Sequence, residues 1–522
     1  MFDLLIYGGT TIDGTGDAAY KGSVAVTGNQ LQILTGHTSA IEAARYIDAT
    51  DRVVCPGFID VHTHSDLMAL ADPKNEPKIR QGVTTEIVGV DGIGYAPLSK
   101  RNLDMMLMLY SGLNGYPELE YNWSSVAEYL KCFRRRTCGN IAYMIPNSCL
   151  RAETVGWDKR SATKAEIAAM KKLTEQAMDE GAIGMSTGLS YAPGSYADTD
   201  ELVEICDTVA KCGGVYVTHV RPGSPDDPFG GFAEAVEIGR RSGCPVHISH
   251  YRGPRQIQGQ ADKSLKFIDD AIASGSDLSF DMYPWVAGST TLTTYVPQWA
   301  HDGGPYRLIE RLRNKGDRNR MRDDVTPRLS QIEQVVICAV RTEKNKWCEG
   351  LTIKQVASKL GKESWDAVCD LLEYEELEVG FTVFGGDMTD VNHIITHSAH
   401  MFSSDGLRTG SMPNPRTYGT FAKVLGQISG DEKIMSLETA VSKMTAIPAR
   451  RFGFIDRGIL KDGMKADIVV FNPNTVKCTA TFENPRQFPK GIEYVIVNGK
   501  TVVDKGTHTG VLAGEPLNMK QR

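Results

Sequence analysis

Nowhere in the 522 residues do eighteen or more uncharged apolar residues run together, so no transmembrane helix and no membrane partner is expected. No long basic run occurs either, and the formal net charge of -7 argues against a phosphate-backbone partner, so no nucleic acid is expected. The opening MFDLLIYGGTTIDG lacks the basic start and long apolar stretch of a secretory signal, and Gly-Gly and charge come too early for one. It reads as mature protein. The 11 cysteines include no C-x-x-C pair, and their odd number in a long chain points to reduced thiols in a cytoplasmic setting. What is present, 41% hydrophobic and 23% charged residues, is the composition of a globular protein long enough for more than one domain.

Residues 3 to 35 contain DLLIYGGTTID and GSVAVTGNQLQIL, β-rich runs broken by Gly and Asn-Gln turns. The C-terminal KADIVVFNP and GIEYVIVNGKTVVDKG read alike, with a turn at Asn498 and Gly499. Chain termini often lie close together, so 1–55 and 456–522 are expected to close one small β-sandwich domain. From 56 to 455, short apolar strands alternate with helix-length segments, the mark of parallel βα units. Thr163 to Asp179, Asp200 to Lys211, Phe232 to Arg241 and Ser264 to Ala273 each show helical spacing and each feed a β-rich run. The fold class expected is α/β, a (β/α)8 TIM barrel, whose strand C-termini form the catalytic face. The charged, irregular stretch 287–350 reads as an insertion over the barrel mouth.

VVCPGFIDVHTHSD ends an apolar strand in His62 and His64, which lie two apart and so share one side of a strand. An H-x-H alone is as readily structural. His219 in VTHVR and His250 in ISHYRG, however, end two successive strands, where a barrel aims them at the same axis. Asp91 in GVDG and Asp405 in SSDG precede glycine, which in isolation signals a turn. Their places in the barrel order add them to the set. A divalent ion held by imidazoles and carboxylate lowers the pKa of water to about 7. A carboxylate beside it can take the proton of the attacking water and hand it to a departing nitrogen. One or two zinc ions per chain are expected for such a ligand set. His247, three residues before His250, is expected to face the other way and pack on a helix, while His397 and His400 lie near enough in sequence to line the pocket and are not assigned to it.

The runs PGFIDVHTHSD, GVTTEIVG, GAIGMSTGLSYAPG, YVTHVR, PVHISHYRG, FDMYPW, AGSTTLTTYVPQWAHDGG, SSDG, NPRTYGTFAKVLG, MTAIPARRFG and GILKDGMKADIVVFNP span nearly the whole chain. Together they resemble the amidohydrolase superfamily and, within it, the N-acyl-D-amino-acid deacylases (D-aminoacylases). The resemblance implies that His62, His64, His219 and His250 are metal ligands, that Asp405 is the catalytic acid and base, and that the metal is zinc. It further implies that Arg416 and Tyr283, with Tyr191 and Ser289 nearby, hold a substrate carboxylate, for which a guanidinium fork is suited.

The chain departs from the family pattern at three places. Asp91 stands where the family has the cysteine of a Gly-Asn-Cys-Gly stretch, and a carboxylate ligand is harder than a thiolate. Tyr251 and Arg252 replace a second histidine and a lysine, and Arg252 adds a planar cation that can bind a further carboxylate or carbonyl. Pro146, Asn147 and Ser148 replace Gly-His-Gly. The expected activity is hydrolysis of the amide bond of a small, carboxylate-bearing N-acyl-amino acid, D-configured by resemblance alone. Two alternatives stay open: another small amide, such as a cyclic amide or imide, and a catalytically inactive barrel that only binds. Against the first, GNIAYMIPNSCLR has no lysine to carboxylate, and against a deaminase, His219 lacks the H-x-x-E pattern. Against the second, the histidines and the acid are all present. The sequence is compatible with a homo-oligomer.

Overall fold

Parallel strand neighbours need crossovers, and helices with one apolar face supply them. In the computed structural model, which describes residues 1–36 and 41–518, eight strands meet this pattern. They are β1 (Phe58–Asp60), β2 (Val83–Val88), β3 (Asn140–Tyr143), β4 (Gly184–Gly188), β5 (Val215–His219), β6 (Val246–Ile248), β7 (Leu278–Met282) and β8 (His400–Phe402). Each pairs in parallel with its neighbour, β3 reaching β4 through Ile145–Pro146. A single bridge between Thr63 and Gly406 joins β8 to β1 and closes the (β/α)8 barrel. The expected crossover helices are present at Lys164–Asp179, Thr199–Lys211, Gly230–Ser242 and Ala261–Ala273. Inside the barrel, Ile59, Ile87, Ala142, Ile183, Val217 and Met401 share one buried cluster with Phe452.

The chain ends form a β sandwich. One sheet takes Leu4–Tyr7, Ser23–Thr27, Gln30–Leu34 and Tyr46–Asp48; the other mixes N-terminal strands with Ile468–Phe471, Ile492–Val497 and Lys500–Asp504. Leu4, Ile6, Val24, Val54, Ile468 and Ile496 are buried together between them. Asn498 (φ 48°) and Gly499 (φ 78°) make the tight turn between the last two strands named, with the positive φ pair that a two-residue hairpin requires.

Two boundaries differ from the sequence reading. Ala287–Thr291 pairs with Val379–Phe384, which pairs in turn with Val336–Val340, so the unit inserted between β7 and β8 extends well past residue 350. Helices Ile353–Leu360 and Ser364–Tyr374 belong to this stretch, and their apolar stripes look like those of barrel helices. At the C-terminus, Pro516–Leu517 leaves the sandwich and pairs with β3, a strand too short to show alternation. No described helix is long and apolar enough to cross a membrane.

Candidate metal centre

The C-terminal ends of the barrel strands bring six of the expected residues to one point. His62 and His64 follow β1, Asp91 follows β2, His219 ends β5, His250 follows β6 and Asp405 follows β8. Asp91 Oδ2 lies 3.5 Å from His62 Nε2, 3.7 Å from His64 Nε2, 3.6 Å from His219 Nδ1 and 3.5 Å from His250 Nε2. One carboxylate oxygen thus sits among four imidazoles. Asp405 Oδ1 lies 3.4 Å from His64 Nε2 and 3.7 Å from His62 Nε2.

The backbone is bent to achieve this. Asp91 (φ 56°), His250 (φ 35°) and Asp405 (φ 46°) all occupy the left-handed region, which side-chain-bearing residues seldom adopt and which clusters at functional sites. Close approach matters too: a Cβ on Gly188 would stand 2.0 Å from the carbonyl oxygen of Asp91, so only glycine lets β4 pass beneath that turn.

The donor set fits a cation. His62 Nδ1 and Nε2, His64 Nδ1 and Asp91 Oδ1 are buried with no hydrogen-bond partner in the protein. Burial resists charge on His62, yet Asp91 and Asp281 hold its pKa well above the ordinary value, and Asp405 and Asp91 likewise raise that of His64. Burial pushes the Asp91 carboxyl up, but His62 and His250 bring it well below the usual range. The imidazoles and carboxylates of the cluster thus compensate one another's charge. Two ligand groups, His62/His64/Asp91 and Asp91/His219/His250, have Asp91 in common.

Beside the cluster opens a cavity of ≈ 280 Å³, lined among others by Tyr191, Arg252, Tyr283, Ser289 and Asp405. Tyr191 follows β4, and its hydroxyl lies 2.9 Å from Thr290 Oγ1. Arg252 donates to the carbonyls of Val286 (3.0 Å) and Trp285 (2.5 Å). Its guanidinium lies 4.5 Å from the centre of the Tyr283 ring, and that of Arg416 lies 4.4 Å from it. Arg416, at the start of helix Arg416–Lys423, is fully buried, and its Nε and Nη1 have no protein partner. Its Nη2 meets Asp405 Oδ2 at 3.0 Å and the Ser289 carbonyl at 3.3 Å. Ser289 Oγ, on the inserted sheet, lies 2.7 Å from Thr382 Oγ1.

Asp281, on β7, contacts the cluster and was missed by sequence reasoning. Its Oδ2 lies 3.5 Å from His62 Nδ1 and 3.0 Å from His247 Nε2, and its Oδ1 accepts from the His250 amide at 3.2 Å. His247 does not pack outward on a helix. It pairs in register between Val217 and Ser279 and points into the barrel, where burial lowers its pKa. Ser190, whose hydroxyl lies 2.9 Å from His219 Nε2, was also missed. A polar residue just past a barrel-strand end is the signal that marks Ser190. His400 is buried behind β8 against Phe280 and Phe402, and His397 pairs with Asp269, so neither reaches the pocket.

The pattern of the amidohydrolase family matches residues 45–503. A D-aminoacylase of Alcaligenes xylosoxydans xylosoxydans is 37% identical, over 99% of this chain and 97% of that protein. A solved D-aminoacylase, described as having a binuclear metal centre activated by one metal and attenuated by the second, superposes with a TM-score of 0.83 at 35% identity, covering 99% of this chain and 100% of its own. An N-acyl-D-glutamate deacylase of Bordetella bronchiseptica, solved with zinc and a phosphonate mimic of the tetrahedral intermediate, gives 0.83 at 30% identity over 99% of each chain.

Proposed function

Because this chain belongs to the amidohydrolase family, we propose that it is a metal-dependent hydrolase that cleaves the amide bond of an N-acyl-D-amino acid. The observation that carries this reading is the convergence of four imidazoles on Asp91 Oδ2, with Asp405 and the Arg416 fork alongside. His62, His64, Asp91, His219 and His250, with Asp405 adjoining, would hold one divalent ion or two, Asp91 belonging to two of the three ligand groups and Asp405 to the third, with His62 and His250. Zinc suits imidazole with carboxylate, and the Bordetella relative was solved with zinc. When bound, the ion supplies a Lewis acid for the acyl carbonyl and a water acidic enough to attack near neutral pH.

The rest is the work of this chain's side chains. Asp405 accepts one proton from the attacking water and returns it to the departing nitrogen, so the products are a carboxylic acid and an amine, which near neutral pH are present as carboxylate and ammonium. Arg416, whose Nη2 already faces Asp405, uses its unpartnered Nε and Nη1 to bind the substrate carboxylate. Tyr283, Ser289, Tyr191 and Arg252 line the cavity, and buried Arg416 lies against the Tyr283 ring. The D configuration rests on the relatives' own substrates.

The test is a panel of N-acetyl-D-amino acids, their L forms, and cyclic amides and imides, assayed with zinc-reconstituted enzyme. Preferential turnover of the D series is expected. Turnover of a ring substrate with none of any N-acyl-amino acid would replace this reading by cyclic amide hydrolysis.

A further inference from the structure

Seven of the eight barrel seams are backbone ladders or their short extensions, but the seam between β8 and β1 has only one bridge, with His64 N donating to Gly406 O at 3.1 Å and Asp405 N to His62 O at 2.8 Å. Next to it a side chain replaces the ladder. Ser404 N donates to Asp60 Oδ1 at 2.9 Å, and Ser404 Oγ to Asp60 Oδ2 at 2.5 Å. Lys78, fully buried on the short helix Glu76–Ile79, lies under both: its Nζ donates to Asp60 Oδ2 at 2.6 Å and to Ser404 Oγ. Glycine at 406 makes room for it, since a Cβ there would meet Lys78 Nζ at 2.8 Å.

We propose that Lys78 is a positioning residue for the reaction: acting through Asp60 and Ser404, it fixes the β8 terminus so that Asp405 faces the His62–His64 pair. This rests on the role given above to Asp405. The physical case is one of alternatives. Lys78 is the cation paired with buried Asp60, so removing it leaves that charge uncompensated and breaks its bond to Ser404 Oγ, and Ser404 is the residue that immediately precedes Asp405. Left-handed Asp405 is otherwise held by its amide bond to the His62 carbonyl at 2.8 Å and by Arg416 Nη2, 3.0 Å from its Oδ2. A displacement of about 1 Å in a reacting group can cost about a hundredfold in rate.

The experiment compares the metal-loaded full-length parent with Ser404→Ala, Lys78→Met and the double variant, on the fastest substrate of the panel above. Ser404→Ala is expected to fold, keep its metal and KM, and lose about a hundredfold in kcat. Where Lys78→Met folds, the double variant is expected to be no slower than Lys78→Met alone, because both break one node. A purely structural role would instead lower the melting temperature, metal content and kcat together. The crystal structure of Ser404→Ala gives a readout that needs no substrate: the Asp405 Oδ1 to His64 Nε2 separation, 3.4 Å in the parent, is expected to lengthen. An unchanged separation, or a Ser404→Ala kcat within about twofold of the parent, overturns the proposal. Failure of the N-acyl-D-amino-acid reading would show as parent inactivity on that series and leave the structural readout standing.

Discussion

Arg416 Nη2 lies 3.0 Å from Asp405 Oδ2, so the fork assigned to the substrate carboxylate also touches the group assigned to move the proton. Burial pushes the Asp405 carboxyl up, but Arg416 and then His64, His62 and His250 bring it down to about 2, which keeps it ionised. On these assignments, binding and proton transfer would be coupled through one guanidinium. Arg416→Met is expected to weaken binding of carboxylate-bearing substrates by about 2–5 kcal/mol and to lower kcat as well. Steady-state kinetics on an N-acyl-D-amino acid and on its carboxamide separate the two effects, since the carboxamide should lose kcat with little change in KM. An unchanged KM for the acid would remove Arg416 from the binding site.

Asp405→Asn is expected to lower kcat by about 10²–10⁴-fold, because an amide cannot shuttle the proton. Metal should remain, since five other donors surround the point on which the site converges. Parallel kcat and metal measurements check both halves. Turnover near that of the parent contradicts the assignment.

Chelation is expected to abolish activity, and zinc to restore it. His219→Ala and His250→Ala each remove one of the three donors in the Asp91/His219/His250 group, and each should emerge from purification with less metal than the parent. Elemental analysis decides this without an assay. Full metal content in both variants would place the centre elsewhere.

Asp281→Asn tests the residue behind the ligands. Asp281 faces His62 Nδ1 at 3.5 Å, and a carboxylate in that position fixes the ring and raises its basicity. The substitution should weaken metal binding by about 10–100-fold and leave the substrate clamp intact. A competitive chelator titration reads the affinity, and parental affinity would reduce Asp281 to a packing role.

Asp281 also shows where sequence reasoning stops. The histidines and the two acids were legible because each stands at the end of an apolar run or before a glycine, where a barrel displays its chemistry. Asp281 sits inside such a run, and its partner His247 comes from the neighbouring strand. Counting alternation back from His250 sent His247 outward, but β6 ends at Ile248 and His250 (φ 35°) is no longer extended, so the count fails across that bend. Lys78 and Ser404 meet only because the barrel closes, and nothing local in either segment announces a partner 326 residues away. The inserted unit outran its expected end for a related reason, since its helices obey the same periodicity as those of the barrel.

A last prediction concerns stability on the barrel's outer face, at the start of helix Lys164–Asp179. Thr163 Oγ1 accepts from the Glu166 amide, and the Glu166 carboxylate accepts from the Thr163 amide at 2.7 Å and from Arg160 Nη2 at 2.6 Å. Arg160, with the Thr163 amide, lowers the Glu166 carboxyl from its ordinary 4.5 to about 2. A carboxyl depressed on folding contributes stability in full above its unfolded pKa and loses it as pH falls through the folded value. Glu166→Gln should therefore melt below the parent at pH 7, and the gap should narrow between about pH 4.5 and pH 2. Arg160 is 41% exposed, so high salt should narrow the gap too. Thr163→Ala removes the cap hydroxyl, which carries no charge, and should cost about 1 kcal/mol at neutral pH. Calorimetry of both variants at several pH values distinguishes these cases. A Glu166→Gln gap that stays constant from pH 7 to pH 2 would mean that the carboxylate's charge contributes nothing and that hydrogen bonding alone holds the cap.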